Sequence, residues 1–153
     1  MLFRDLPRER CTRDFGVTTG ILLQRGRGAD YDACVAVYTS LELGEVRAIA
    51  EAYGLGIVEA AEAVAEGTVN SSFVVHLAGG ARAFLRVYEE QDHGGALREA
   101  RLLEHLARRG ARTPRPLATR RGELVVEARG KPCAVFPFVE GAMVCQRAVT
   151  PAH

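Results

Sequence analysis

Glu66-Gly67-Thr68-Val69-Asn70-Ser71-Ser72-Phe73-Val74-Val75-His76-Leu77-Ala78-Gly79-Gly80-Ala81 is the stretch on which the fold turns. Small polar residues come first, an apolar run follows, and a Gly-Gly pair closes it. Phe73 to Leu77 reads as a strand bounded by turn residues. Ala78 to Ala81 reads as a hairpin turn, because glycine reaches positive φ without a Cβ clash. Arg82 to Glu89 then returns as the partner strand, with Phe84, Arg86 and Tyr88 on one face and Leu85 and Val87 on the other. The connection from Gly67 to Phe73 lets backbone N–H groups approach an anion, with Asn70, Ser71 and Ser72 as side-chain donors. The same residues also make an ordinary hairpin loop.

Downstream, Gln91 to Gly95 reads as a loop and Ala96 to Arg109 as a helix ended by Gly110. Glu99, Leu102, Leu103 and Leu106 share one helical face, so Glu99 lies in line with leucines expected to meet the sheet. A carboxylate there needs a partner. Arg86 on the preceding strand is the candidate, the alternative being that Glu99 reaches water at the helix edge and Arg86 is a surface residue. Thr113-Pro114-Arg115-Pro116 is extended. Leu117 to Thr119, Glu123 to Glu127 and Pro132 to Val139 read as strands, separated by turns at Arg120 to Gly122 and Ala128 to Lys131.

Upstream, Thr39-Ser40-Leu41-Glu42 fits a capping box. Val46, Ile49, Ala50 and Tyr53 follow at helical spacing, and Gly54 ends the helix. Ile57 to Glu66 alternates Ala, Glu and Val; it reads as a half-exposed strand, although Ala and Glu also suit a helix. Residues 1–34 show no sustained period and read as a poorly ordered extension. The order is helix, three strands, helix, then two or three strands. This predicts an α+β fold: an antiparallel sheet of about five strands with a packed helix, preceded by a short helix.

Composition narrows the function. The 153 residues suffice for one domain with a core. A net charge of +1 gives no field that would draw nucleic acid or an anionic membrane. No apolar run reaches the ~20 residues of a transmembrane helix, and the charged amino terminus makes a poor signal peptide; the expected location is cytoplasmic. Cys11, Cys34, Cys133 and Cys145 lack metal-site spacing and read as reduced thiols. Of the 20 basic side chains only Lys131 is lysine. A site that ordinarily uses lysine must therefore use an arginine fork or this one residue.

Taken in order, VAVYTSLELGEV, EGTVNSSFVVHLAGGARAFLRVYEE, LLEHLARRGARTPRPL and GELVVEARGKPCAVFPFVEG resemble the amino-terminal lobe of the protein-kinase-like small-molecule phosphotransferases, the aminoglycoside-phosphotransferase superfamily. Among these the homoserine kinases look most similar. The resemblance covers about residues 35–151. It implies a lobe over residues 35–141 and, in 142–153, the start of a connector to a second lobe. It implies ATP as the phosphoryl donor, Mg²⁺, homoserine as acceptor, and a place in threonine biosynthesis. Gly67, Asn70, Ser71, Ser72 and Phe73 would lie over the phosphates. Arg86 would stand where relatives place a phosphate-contacting lysine, paired with Glu99. Phe136, Phe138 and Val139 would flank adenine.

Phosphoryl transfer also needs an Asp to orient the acceptor and ligands for Mg²⁺. In the superfamily these come from an His-x-Asp loop of the carboxy-terminal lobe. The Asp residues here are Asp5, Asp14, Asp30, Asp32 and Asp92, and none follows a His at that spacing. No catalytic or metal-ligating residue is therefore expected in this chain, and the expectation is a lobe inactive alone. The alternatives are another small-molecule phosphotransferase of the superfamily and a non-catalytic nucleotide-binding or regulatory module. An isolated lobe would leave Phe136, Phe138 and Val139 uncovered, which predicts marginal stability or self-association.

Overall fold

The computed structural model describes residues 38–64 and 69–141. The extension over 1–34, Gly67, the connector over 142–153, Cys11, Cys34, Cys145 and the first four Asp residues lie outside them.

The first helix, α1, spans Leu43–Tyr53 and ends at Gly54, whose φ of 69° is the left-handed cap glycine provides. The expected cap at Thr39 is displaced by three residues. Glu42 is the N-cap, and its N–H donates to the Glu45 carboxylate at 2.7 Å. Thr39 is engaged elsewhere: its N–H donates to Ser71 Oγ and its hydroxyl to Glu89, both at 2.9 Å.

Five strands follow: β1 (Val58–Ala63), β2 (Ser71–Leu77), β3 (Arg82–Val87), β4 (Val126–Ala128) and β5 (Lys131–Pro137). They form one antiparallel sheet in the order β1-β2-β3-β5-β4. The ambiguous alternating segment is thus a strand, with its register interrupted between Val58 and Ala60. The β2–β3 hairpin turns through Gly79 and Gly80, at φ 84° and 82°. Its register sets Ser72 opposite Arg86 and Val74 opposite Phe84. β5 continues it, placing Ala134 opposite Arg86 and Phe136 opposite Phe84.

Four strand expectations are corrected. β2 starts two residues before Phe73, because Ser71 and Ser72 pair with Val87 and Arg86. Leu117 to Thr119 is not a strand; Leu117 makes one backbone bond to Val135, and Thr119 closes a turn onto Glu123. β4 has three paired residues where five were expected, and β5 stops at Pro137, short of Val139.

The second helix, α2, spans His93–Arg108. It starts three residues earlier than its apolar pattern because the Asp92 carboxylate accepts the Gly95 N–H at 2.7 Å and caps it. Its buried residues are Ala96 and Ala100, with Leu103 partly buried beside them. Leu102 and Leu106, expected to face the sheet, are 56% and 38% exposed. The buried face runs 96, 100, 103: small residues bring the helix close, and Tyr88, Leu124, Val125 and Phe136 fill the layer beneath it.

The sheet thus has two differently covered faces. On one, α1 packs Val46, Ile49, Ala50 and Tyr53 onto Phe73, Val75, Leu77, Leu85, Val87, Cys133 and Val135. Leu85 is fully buried there; replacement by alanine would cost about 2–5 kcal/mol. The Tyr53 hydroxyl donates to the Leu124 carbonyl at 2.9 Å, tying α1 to the segment leading into β4. On the other face, α2 covers Tyr88, Ala134 and Phe136, while Phe84 and Val74 are only partly buried.

Candidate functional site

The partly covered face carries one internal cation, Arg86 of β3, and α2 carries the carboxylate that meets it. Arg86 Nη1 lies 2.8 Å from Glu99 Oε1. The two side chains are 31% and 30% exposed, half shielded from water but open on one side. Two further donors hold the carboxylate: the Tyr88 hydroxyl reaches Oε1 at 3.3 Å and Gln91 Nε2 reaches Oε2 at 3.1 Å. The guanidinium also lies over Phe136, 5.3 Å from the ring centroid, and 6.0 Å from that of Tyr88. Backbone alternation on β3, the cap that starts α2 and an aromatic floor together fix this cation in place. A fork engaged through one nitrogen retains donors for a second anion.

Burial governs the neighbouring groups. The Tyr88 phenol is pushed up to about 12 by burial first, with the Glu99 charge adding to it. It is therefore a neutral donor to Glu99 at physiological pH. Cys133, on the α1 face, is likewise raised to about 12 by burial, which leaves it a thiol.

The sequence-derived residues divide between the two faces. Ser72 is in register with Arg86, and Phe136 lies beneath it. Ser71 and Phe73 alternate to the opposite face. Phe73 packs in the α1 core, so the phosphate-side placement expected for it is corrected. Ser71 is fully buried and its hydroxyl is saturated: it accepts the N–H groups of Tyr38 and Thr39 at 2.9 Å each and donates to Glu89 at 2.5 Å. Its expected role as a phosphate donor is corrected as well. Asn70 Oδ1 accepts the Glu89 N–H at 3.4 Å. Phe138 lies beyond β5 with the Arg82 guanidinium 4.1 Å over its ring, Arg82 being ion-paired to Glu140. Val139 is 68% exposed.

Phe84 and Tyr88 share the Arg86 face as the alternation on β3 predicts, whereas Val74, which flanks Arg86 from β2, and the Tyr88 and Gln91 hydrogen bonds to Glu99 were not anticipated. The period of two that separates Ser72 and Val74 from Ser71 and Phe73 carries that signal. A separate groove of about 600 Å³ lies between α2 and residues 115–125, lined by Arg101, Arg108 and Arg115 among others; it does not include Arg86 or Glu99. Among the described residues no three His, Cys, Asp or Glu side chains form a group that could hold a metal, and no helix is long and apolar enough to cross a membrane.

Comparison with known proteins gives a consistent picture. Residues 60–148 match the phosphotransferase enzyme family. A homoserine kinase of Methylocella silvestris is 37% identical over 113 residues, 73% of this chain and 34% of that protein. A homoserine kinase of Afipia carboxidovorans is 36% identical over 120 residues, 78% of this chain and 36% of its own length. The chain thus spans about a third of the curated relatives it matches. Among solved structures, a spectinomycin phosphotransferase in complex with ADP and spectinomycin superposes with a TM-score of 0.54 at 14% identity. That match covers 68% of this chain and 31% of the other. It is a likeness of fold.

Proposed function

Because the chain belongs to the phosphotransferase enzyme family, we propose that residues 35–141 are the nucleotide-binding lobe of an ATP-dependent homoserine kinase. In this reading residues 1–34 are an extension, and 142–153 open the connector to a second lobe. The observation that carries it is the Arg86–Glu99 pair at 2.8 Å. It sets an oriented guanidinium over an aromatic floor on the less covered face of the sheet.

The residues present fit a nucleotide. The free donors of Arg86 would take a phosphate oxygen, with Ser72 and Asn70 nearby in the chain supplying weaker polar contacts. Val74, Phe84 and Phe136 would lie under the apolar part of the ligand, with Phe138 and Val139 at the adenine edge. Arg replaces the point charge of a lysine here, so its planar fork would bridge carboxylate and phosphate at once. ATP supplies the γ-phosphoryl group. The acceptor oxygen would bond to phosphorus as the β,γ-bridging P–O bond breaks, with ADP leaving and the hydroxyl proton passing to a base. That base and the Mg²⁺ ligands would come from outside the described residues. Homoserine as acceptor, and hence threonine biosynthesis, is supported by the names of the relatives from Methylocella and Afipia.

Titration calorimetry of the purified chain with ADP and ATP tests the lobe assignment, and micromolar to millimolar binding is expected. The acceptor is tested by fusing the chain to its downstream reading frame and assaying ADP release with homoserine, aminoglycosides and sugar alcohols. Release dependent on an acceptor other than homoserine would overturn the substrate assignment and leave the family intact.

A further inference from the structure

Glu89, which follows β3, is bonded through its side chain and both of its backbone polar groups. Its side chain is 10% exposed. Oε1 accepts the Ser71 hydroxyl at 2.5 Å and Oε2 accepts the Thr39 hydroxyl at 2.9 Å. The Glu89 N–H donates to Asn70 Oδ1 at 3.4 Å. Its carbonyl accepts Lys131 Nζ at 2.7 Å, and the same ammonium stands 3.7 Å from Oε2. Four separate stretches therefore meet at one residue: the segment before α1, the residues at the entry to β2, the end of β3 and the start of β5. A carboxylate this enclosed is stable only when fully partnered, so the arrangement specifies where its partners sit.

We propose that Glu89 is a positioning residue for nucleotide binding, acting through Asn70 and Ser71; the proposal rests on the nucleotide-lobe reading above. Ser71 is the residue it holds most closely, and Ser71 is in register with Val87 as Ser72 is with Arg86. Fixing Ser71 sets the entry of β2, and with it the height of Ser72 beside the guanidinium. Thr39 and Tyr38 complete the clamp, because Ser71 Oγ accepts both of their N–H groups. The segment preceding α1 is thereby part of the support for the site. Glu89 itself touches no ligand: its carboxylate oxygens are turned to Ser71 and Thr39.

The test compares Glu89→Ala and the milder Thr39→Val with Ile49→Val, a change in the α1 core, in the full 153-residue chain. Should Glu89→Ala fail to fold, Thr39→Val carries the comparison. Melting temperature, ADP affinity by calorimetry and backbone amide exchange at Asn70, Ser71 and Ser72 are measured for each. Expected are an about tenfold weaker ADP Kd for Glu89→Ala and a two- to fivefold loss for Thr39→Val. Exchange should accelerate at those three amides and not at Leu85, while Ile49→Val should lower the melting temperature with Kd unchanged. A clamp variant whose Kd moves no more than that of Ile49→Val overturns the proposal and leaves the nucleotide reading standing. Native protein that binds no ADP overturns that reading, and the proposal with it.

Discussion

Arg86 of β3 and Glu99 of α2 meet at 2.8 Å, and Tyr88 and Gln91 close on the same carboxylate. A single half-exposed ion pair is worth little to stability, typically about 0–1 kcal/mol. Its value here is orientation. Arg86→Ala is expected to change stability by less than about 1 kcal/mol while weakening ADP binding about tenfold, or ~1.4 kcal/mol. Glu99→Gln should weaken binding less, because the amide oxygen still accepts. A double-mutant cycle read in Kd would show strong coupling between the two; additive losses would mean that the pair does not act as a unit.

The packing of α2 yields a prediction opposite to the one that leucine spacing suggests. Ala100 is fully buried against the sheet and Leu102 is largely exposed. Ala100→Leu should therefore destabilise the fold by about 1–3 kcal/mol through overpacking. Leu102→Ala should be nearly neutral, within ~0.5 kcal/mol. Urea denaturation of both variants decides which face is inside.

Cys133 is fully buried, with its thiol pushed up to about 12 by burial. Iodoacetamide at pH 8 should leave it unmodified in the native chain and alkylate it in urea. Peptide mass mapping separates its signal from those of the other cysteines. Rapid native labelling of Cys133 would show that β5 opens locally.

Tyr88 sets an alkaline limit. Its folded value of about 12 lies above the ordinary 10.0, so the unfolded chain loses this proton first as pH rises. The phenol's contribution is complete below pH 10 and is lost as pH climbs towards 12. The Tyr88→Phe variant should lose less stability than the native chain across that window. Thermal melts from pH 8 upward measure the difference; parallel curves would remove Tyr88 as the cause.

Much of the fold was legible because its signals are local. The Gly79-Gly80 turn between two apolar runs fixes a hairpin; the start of α2 is read three residues late, because the apolar pattern opens at Ala96 whereas the cap is the Asp92 side chain ahead of two glycines. The Arg86–Glu99 pair was accessible from two periodicities and one hairpin. The errors have physical causes. Leu102 and Leu106 outrank Ala96 and Ala100 in apolarity, yet close helix–sheet approach favours the smaller side chains. Ser71, a polar residue beside loop residues, reads as part of the connection before the strand; in alternation with Phe73, Val75 and Leu77 it belongs to the buried α1 side. The Thr39–Ser71–Glu89 cluster joins residues up to 50 positions apart, and no periodic pattern reports such a contact.

Lys131 gives the chain an experimental consequence. Among its 20 cationic side chains it alone is a primary amine, and that amine rests on the Glu89 carbonyl. Acylating reagents that ordinarily scatter over a protein surface would find a single side-chain target in this one. A fluorophore attached there at high pH, where the α-amine can be distinguished by mass, would sit at the junction of β5 and the Glu89 cluster. It would make the chain a one-site optical reporter without an engineered cysteine, its emission following whether the cluster is closed or open.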